Sequence, residues 1–239
     1  YAAAFASADP RRLRCAMIAP LNHPVQAAAE IAFAHDQLGM TVLLASFTAP
    51  GARSLSSPDL DVVWAAAHER AITVTFQDSS LSAVPTTSGI ARAKTWRMLY
   101  LATHIVEAQL GLADLILGGV PDRFPALRFG MQETHLTWLP SWLQLLDERF
   151  GHRRQPSVRP SDAFRRQFFA SGFPDEPGVR RFIDEVGGRN LVFASDWPHR
   201  ELMPGTDPNW TAEVLRRNDL SAAEAVAALE TNPNHWFSN

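Results

Sequence analysis

The chain has 239 residues, 46% of them hydrophobic and 20% charged, with a formal net charge of −3 and a sequence pI near 6.3. This composition supports one sizeable core, and the mildly acidic balance without a Lys/Arg block argues against nucleic acid or an anionic membrane surface as partner. No apolar run is long enough for a membrane span and the single cysteine, Cys15, rules out an internal disulfide, so we expect a soluble, cytoplasmic protein with a single domain over 1–239.

The Ala-rich start, 1–8, lacks the basic lead and long apolar centre of a signal peptide. Six short apolar runs follow that read as buried strands: 14–19, 41–46, 72–76, 127–132, 168–172 and 191–195. Cys15, inside the first, reads as a small core residue. Helical spacing separates most of these runs, which is the alternation of a parallel α/β sheet or barrel. From Pro24, Val25, Ala28, Ala29 and Ala32 share one face and Gly39 stops the helix. A second helix covers 58–70 and a third runs from Trp96 to about Leu117, after an irregular connection, 78–89, that reads as a substrate loop or a plain surface excursion. Gly118-Gly119 breaks the pattern, and 122–125 turns into the fourth strand. Leu139, Trp142, Leu143 and Leu146 recur at i, i+3, i+4 and i+7 with Pro140 near the start of their helix. Residues 151–162 read as an exposed basic loop that leaves His152 solvated. Asp175 is a cap for a helix starting at Pro177 and ended by Gly187-Gly188, while Ser221 and Glu224 fit a capping box for a last helix that stops near Asn232-Pro233.

In a parallel barrel, residues just beyond the strand C-termini share one pocket. Here those are Asn22 and His23, Phe47, Gln77 and Asp78, Glu133 and His135, Phe173, then Asp196 and His199; His104, inside the long helical stretch, is a further candidate. Asp196 follows an apolar strand and precedes Trp197-Pro198, so a carboxylate there is costly without a metal, a cation or a proton-transfer role. The alternatives are ordinary: Asp196 as a turn cap, Glu133 paired with an arginine, His199 at the rim, His23 in Asn-His-Pro turn chemistry. His35, His68 and His235 read as structural. Gly-x-Gly-x-x-Gly, phosphate loops, Gly-x-Ser-x-Gly, His-Glu-x-x-His and His-x-His are all absent, which disfavours nicotinamide chemistry and serine hydrolysis.

Three separated motifs carry a resemblance: Leu191–His199, a strand ending Ser-Asp-aromatic-Pro; Leu115–Arg128, with Gly-Gly-Val-x-Asp-Arg-x-Pro; and Trp138-Leu-Pro with Leu146-Asp147, joined by the Asn-containing segment from Asn232. In these the chain resembles the amidohydrolase-related (amidohydrolase 2) family of metal-dependent barrels, the group of aminocarboxymuconate semialdehyde decarboxylase and the resorcylate-type decarboxylases. The resemblance implies a (β/α)8 TIM barrel whose first strand has no counterpart in this chain. It also implies a divalent metal, zinc or manganese, with Asp196 as ligand or proton carrier. Gln77 stands where a ligand histidine is expected. Glu133 stands at or beside another pocket histidine, which His135 replaces if the register shifts by one residue.

On this footing we expect an enzyme acting on a small carboxylated aromatic or unsaturated substrate, a decarboxylase (carboxy-lyase) ahead of a hydrolase of a C–N or C–O bond. The expected catalytic residues are Asp196, His135 and His199; the expected pocket residues are Gln77, Asp78, His104, Glu133 and His23; the expected metal ligands are Asp196 and Glu133. The rival is a metal-free member that binds a small ligand. Trp138 and Trp142 admit either a homodimer contact or an intramolecular core contact.

Overall fold

The computed structural model describes residues 1–47, 53–77, 93–150, 157–197 and 209–237. Six strands form one parallel sheet in sequential order: β1 (Ala16–Ile18), β2 (Val42–Ala45), β3 (Thr73–Phe76), β4 (Arg128–Met131), β5 (Phe168–Gly172) and β6 (Leu191–Phe193). Each lies inside a run expected from the sequence. Parallel strands whose neighbours in space are neighbours in the chain are the winding of a (β/α)8 barrel, and these six form an arc of one.

The helices are α1 (Ala2–Ala6), α2 (Pro24–Leu38), α3 (Asp61–Glu69), α4 (Trp96–Tyr100), α5 (Glu107–Leu117), α6 (Val120–Arg123), α7 (Leu139–Phe150), α8 (Pro160–Gln167), α9 (Val179–Glu185), α10 (Trp210–Leu215), α11 (Ala222–Val226) and α12 (Asn232–Phe237). Pro24 starts α2 and Gly39, in left-handed geometry at φ 67°, ends it as the sequence predicts. Ser221 and Glu224 form the expected capping box.

Strand side chains alternate in face. Val74, Phe76, Phe129, Phe168, Leu191 and Phe193 join the main core with helical residues such as Ile31, Trp64 and Leu112, whereas Phe169 and Val192 face the other way and pack with Trp236. On the core face, Phe76 and Phe129 stack with ring centroids 6.2 Å apart, and Phe129 and Phe168 at 4.7 Å. Each such pair adds about 0.5–1.5 kcal/mol beyond the area it buries.

Helix α12 is tied to the strand N-termini. Thr73 Oγ1 donates to the Trp236 carbonyl at 2.6 Å, Arg128 Nη1 to the His235 carbonyl at 2.9 Å, and Arg14 to the Phe237 carbonyl. Asn232 Nδ2 donates to the carbonyls of both Gly188 and Leu191 at 2.7 Å, locking this helix to the start of β6. The opposite, C-terminal ends of the strands are left for a site.

Several expectations are corrected. Cys15 lies before β1, half-buried, with Sγ bonded to the Ala2 carbonyl, because the strand starts at Ala16 and α1 covers the residues before it. The described part of 151–162 is not all loop, since α8 starts at Pro160, where a first helical turn tolerates proline; His152 lies outside the described residues. Helix α6 takes in Asp122 and Arg123, so the turn expected over 122–125 begins only at Phe124. Asp175 caps nothing: α9 starts at Val179 after Gly178, at φ 79°, because the acidic stretch is used as a loop. The terminal helical stretch continues past Asn232-Pro233, the proline falling in the first turn of α12. Among the described residues, no helix is long and apolar enough to cross a membrane.

Candidate active site

The strand ends are level. Ala45 pairs with Phe76 and Phe76 with Met131, Gly172 pairs with Phe193, and the ladder continues through Gln77 N–H to the Ala45 carbonyl, Gln132 N–H to that of Phe76 and Ala194 N–H to that of Gly172. The chain therefore leaves β3, β4, β5 and β6 at one mouth, carrying Gln77, Glu133, Phe173 and Asp196 there.

Two of these exits, after β4 and β6, are strained. Among the described residues, the non-glycine positions with positive φ are Glu133 at 54°, His135 at 58°, Asp196 at 51° and Ala71, in the turn before β3. Left-handed geometry costs a residue with a Cβ on the order of 1–2 kcal/mol, and such strain persists where surrounding contacts hold a side chain in place for use. Here the Glu133 N–H is held by Ser171 Oγ at 3.3 Å.

The Glu133 carboxylate is the hub. It lies among the side chains of His104, Asp196 and Gln77, which act on its charge, and pairs with His104 Nε2 3.6 Å away. His104, only 5% exposed, reaches it from a π-helical turn, Leu101–Val106, inserted between α4 and α5. That extra residue per turn stacks the Tyr100 and His104 rings at 4.2 Å. Thr103 Oγ1 meets His104 Nδ1 at 3.0 Å and orients the ring.

Two carboxyl groups this close cannot both ionise freely. Burial, the hydrogen bond to Glu133 and its negative charge push the Asp196 carboxyl up to about 8. Burial also pushes Glu133 upward, but hydrogen bonds from His104, Asp196 and Gln77 outweigh it and hold that group down at about 2. Of the two, Asp196 is therefore the one favoured in its acid form.

Beside the pair lies a second chain of contacts. His135 Nδ1 is 3.0 Å from Glu176 Oε2, and His135 Nε2 is 3.2 Å from the Tyr100 hydroxyl. Burial, then the charges of Glu133, Asp196 and Glu176, push the Tyr100 phenol up to about 12, so it stays protonated. Both groups open on a cavity of about 700 Å³ lined by Arg97, Tyr100, His135, Phe173, Glu176 and Asp196, a size that admits a small molecule. Another cleft of about 380 Å³, beneath α1, is lined by Cys15 and Met40 but by no acid or histidine.

The structure brings together Gln77, His104, Glu133 and Asp196, with His135 on the wall of the same cavity. It does not bring His23, which stands exposed where α2 begins, outside the cavity lining, because the helix starts at the next residue. Asp78 and His199 lie outside the described residues. Tyr100 and Glu176 escaped the sequence reading. Tyr100 stands four residues before His104, on the same helix face, which was the available signal; Glu176 carried none, since its loop reads as a cap.

Among the described residues, no three His, Cys, Asp or Glu side chains converge as a metal shell. A divalent ion needs deprotonated ligands, so at Asp196 and Glu133, the carboxylates that would hold one here, it would compete with the Asp196 proton.

Comparison with known proteins places this geometry. The structure of 5-carboxyvanillate decarboxylase from Sphingomonas paucimobilis superposes with a TM-score of 0.79 at 21% identity, over 99% of this chain and 70% of that one. An amidohydrolase from Mycobacterium avium subsp. paratuberculosis gives 0.78 at 22% identity, over 93% of this chain and 58% of that one, so this chain spans less than two thirds of its length. A 5-carboxyvanillate decarboxylase mutant from Novosphingobium aromaticivorans, solved with bound manganese and a nitrobenzoic acid, gives 0.79 at 17% identity over 99% and 68%. No curated protein matches by sequence. The barrel arrangement is common to all three structures, and the family model described as Amidohydrolase matches residues 1–238: the chain belongs to the amidohydrolase family.

Proposed function

We propose that this chain is a carboxy-lyase acting on a small carboxylated aromatic or unsaturated compound. The observation that carries the reading is the Asp196 carboxyl on the cavity wall beside Glu133, where burial and then Glu133 push it up to about 8 and favour its acid form. Decarboxylation requires an acid that protonates carbon. The Asp196 proton forms the new C–H bond at the carbon bearing the carboxylate; the C–C bond then breaks and carbon dioxide leaves. Asp196 is left ionised beside the ionised Glu133, an unfavourable pair, so it regains a proton from solvent and the cycle closes.

Hydrolysis by a water with Asp196 as base needs the opposite protonation state, which the pair disfavours below about pH 8. The two decarboxylases compared above are named for 5-carboxyvanillate, a one-ring aromatic carboxylate, and the cavity volume suits that size. Manganese in a relative makes a divalent ion a natural partner of the family pocket. In this chain the described residues offer Asp196 and Glu133 to it, and only once deprotonated.

The test is a panel of hydroxybenzoates and unsaturated carboxylates, followed by carbon dioxide release and by deuterium incorporation at the vacated carbon in D2O. Carbon dioxide release that disappears in Asp196→Asn supports the reading. A cleaved C–N or C–O bond with the carboxylate retained, increasing above pH 8, overturns it in favour of hydrolysis.

A further inference from the structure

We infer that Glu176 is a positioning residue, whose buried carboxylate holds His135 in the Nδ1–H tautomer so that Nε2 accepts the Tyr100 hydroxyl and the Tyr100 oxygen presents its lone pairs to the cavity. This deepens the decarboxylase reading and, for its catalytic consequence, rests on it.

The direction of control follows from what holds each group. Glu176 is 2% exposed and sits on the loop between β5 and α9. That loop is pinned from outside the site: Arg217 Nη1 donates to the Pro174 carbonyl at 2.7 Å and Nη2 to the Glu176 carbonyl at 2.8 Å, with Asp219 pairing the same guanidinium at 2.7 Å. The Glu176 backbone N–H also closes a turn onto the Phe173 carbonyl at 3.0 Å. Its side chain is therefore placed by the frame, and His135 adapts to it.

The two carboxylate oxygens have separate tasks. Oε1 accepts the Leu136 N–H at 3.2 Å, and Oε2 faces His135 Nδ1 at 3.0 Å. A carboxylate only accepts, so Nδ1 carries the hydrogen and a neutral ring keeps its lone pair on Nε2. Nε2 lies 3.2 Å from the Tyr100 oxygen and accepts from it. With its hydrogen engaged, Tyr100 offers an acceptor to the cavity and selects a substrate group that donates a hydrogen bond. The Phe173 ring, 5.1 Å from the imidazole, closes the remaining side.

Glu176→Gln makes a sharp test, because the Leu136 N–H donates and needs the side-chain oxygen as its acceptor. The amide oxygen takes that place and the NH2 turns to Nδ1, which must then accept, moving the hydrogen to Nε2. The measurement is a nitrogen-15 correlation spectrum of the histidine rings in the full chain, at a pH where the ring is neutral, with His135 assigned by its loss in His135→Gln. The expected result is Nδ1–H in wild type and in Glu176→Asp, and Nε2–H in Glu176→Gln. Nε2–H in wild type overturns the inference, as does Nδ1–H retained in a folded Glu176→Gln; the wild-type spectrum decides even if that variant does not fold. In the carbon dioxide assay Glu176→Gln is expected to raise KM about 10-fold for substrates that donate a hydrogen bond, with kcat little changed, and an unchanged KM also overturns the positioning role. Absence of carbon dioxide release from wild type defeats the decarboxylase reading while the spectrum still decides the tautomer.

Discussion

Glu133 and Asp196, carried by the ends of β4 and β6, face one another at one mouth, where burial and the Glu133 charge push the Asp196 carboxyl up to about 8. Both residues sit in left-handed backbone geometry, so the contact is held against local preference by the surrounding structure.

Replacing Asp196 with Asn removes the proton donor and keeps the shape. Carbon dioxide release is expected to fall by at least about 10²-fold. Stability moves the other way. The folded-state pKa of Asp196 is raised from 3.8 to about 8, so wild type loses stability as pH rises across that window, where the unfolded chain ionises first. Melting of Asp196→Asn relative to wild type is expected to improve progressively from pH 4 to pH 8, and a constant difference would contradict the raised Asp196 pKa.

Burial is the main cause of the raised Asp196 pKa, and Glu133→Gln takes away the charge that adds to it. The Asp196 pKa is expected to fall toward its ordinary range, and the alkaline limb of the activity profile, near pH 8 in wild type, moves to lower pH. A pH–rate profile of both proteins checks this. An unmoved limb would assign it to another group.

Divalent binding is coupled to the same proton. Manganese titrated into the full chain and followed by calorimetry is expected to bind weakly at pH 7 and at least about tenfold more tightly above pH 8, with proton uptake by the buffer in the intermediate range. Equal affinity at both values would mean that ligands other than this pair hold the ion.

In the sheet beneath the site, Gly130 of β4 has no room for a Cβ, which would lie 2.3 Å from Phe169 Cζ. Gly130→Ala is expected to cost about 1–3 kcal/mol through displacement of that ring. Thermal melting checks it, and an unchanged midpoint would show that the ring moves freely.

Asn232→Ala removes the side chain that donates to the carbonyls of Gly188 and of buried Leu191, and while Gly188 keeps the Leu191 N–H as donor, the Leu191 carbonyl is left without this partner. The expected loss is about 1–3 kcal/mol for that orphaned group, read as a lower urea midpoint.

Much of the fold was legible in the sequence. All six strands lie inside runs of apolar residues, and Gly39 and the Ser221–Glu224 box end or start helices where their backbone chemistry requires. Short helices were less legible: α8 starts at a proline within a basic stretch, and α9 starts after Gly178 rather than at a capping acid. Neither pattern carries the long apolar periodicity that identifies α2 or α7.

In the site, the sequence by itself determined that Gln77, Glu133 and Asp196 belong to one mouth. Side chains that follow parallel strands in sequential order have nowhere else to converge. Only the tertiary structure decided how they share their charge. Which carboxyl holds the proton depends on the side chains of His104 and Gln77 reaching Glu133, and the role of His135 depends on a glutamate from another loop and a tyrosine from a π-helical turn. Electrostatic and hydrogen-bond energies vary over ångströms between groups distant in the chain, and residue order alone does not carry those distances.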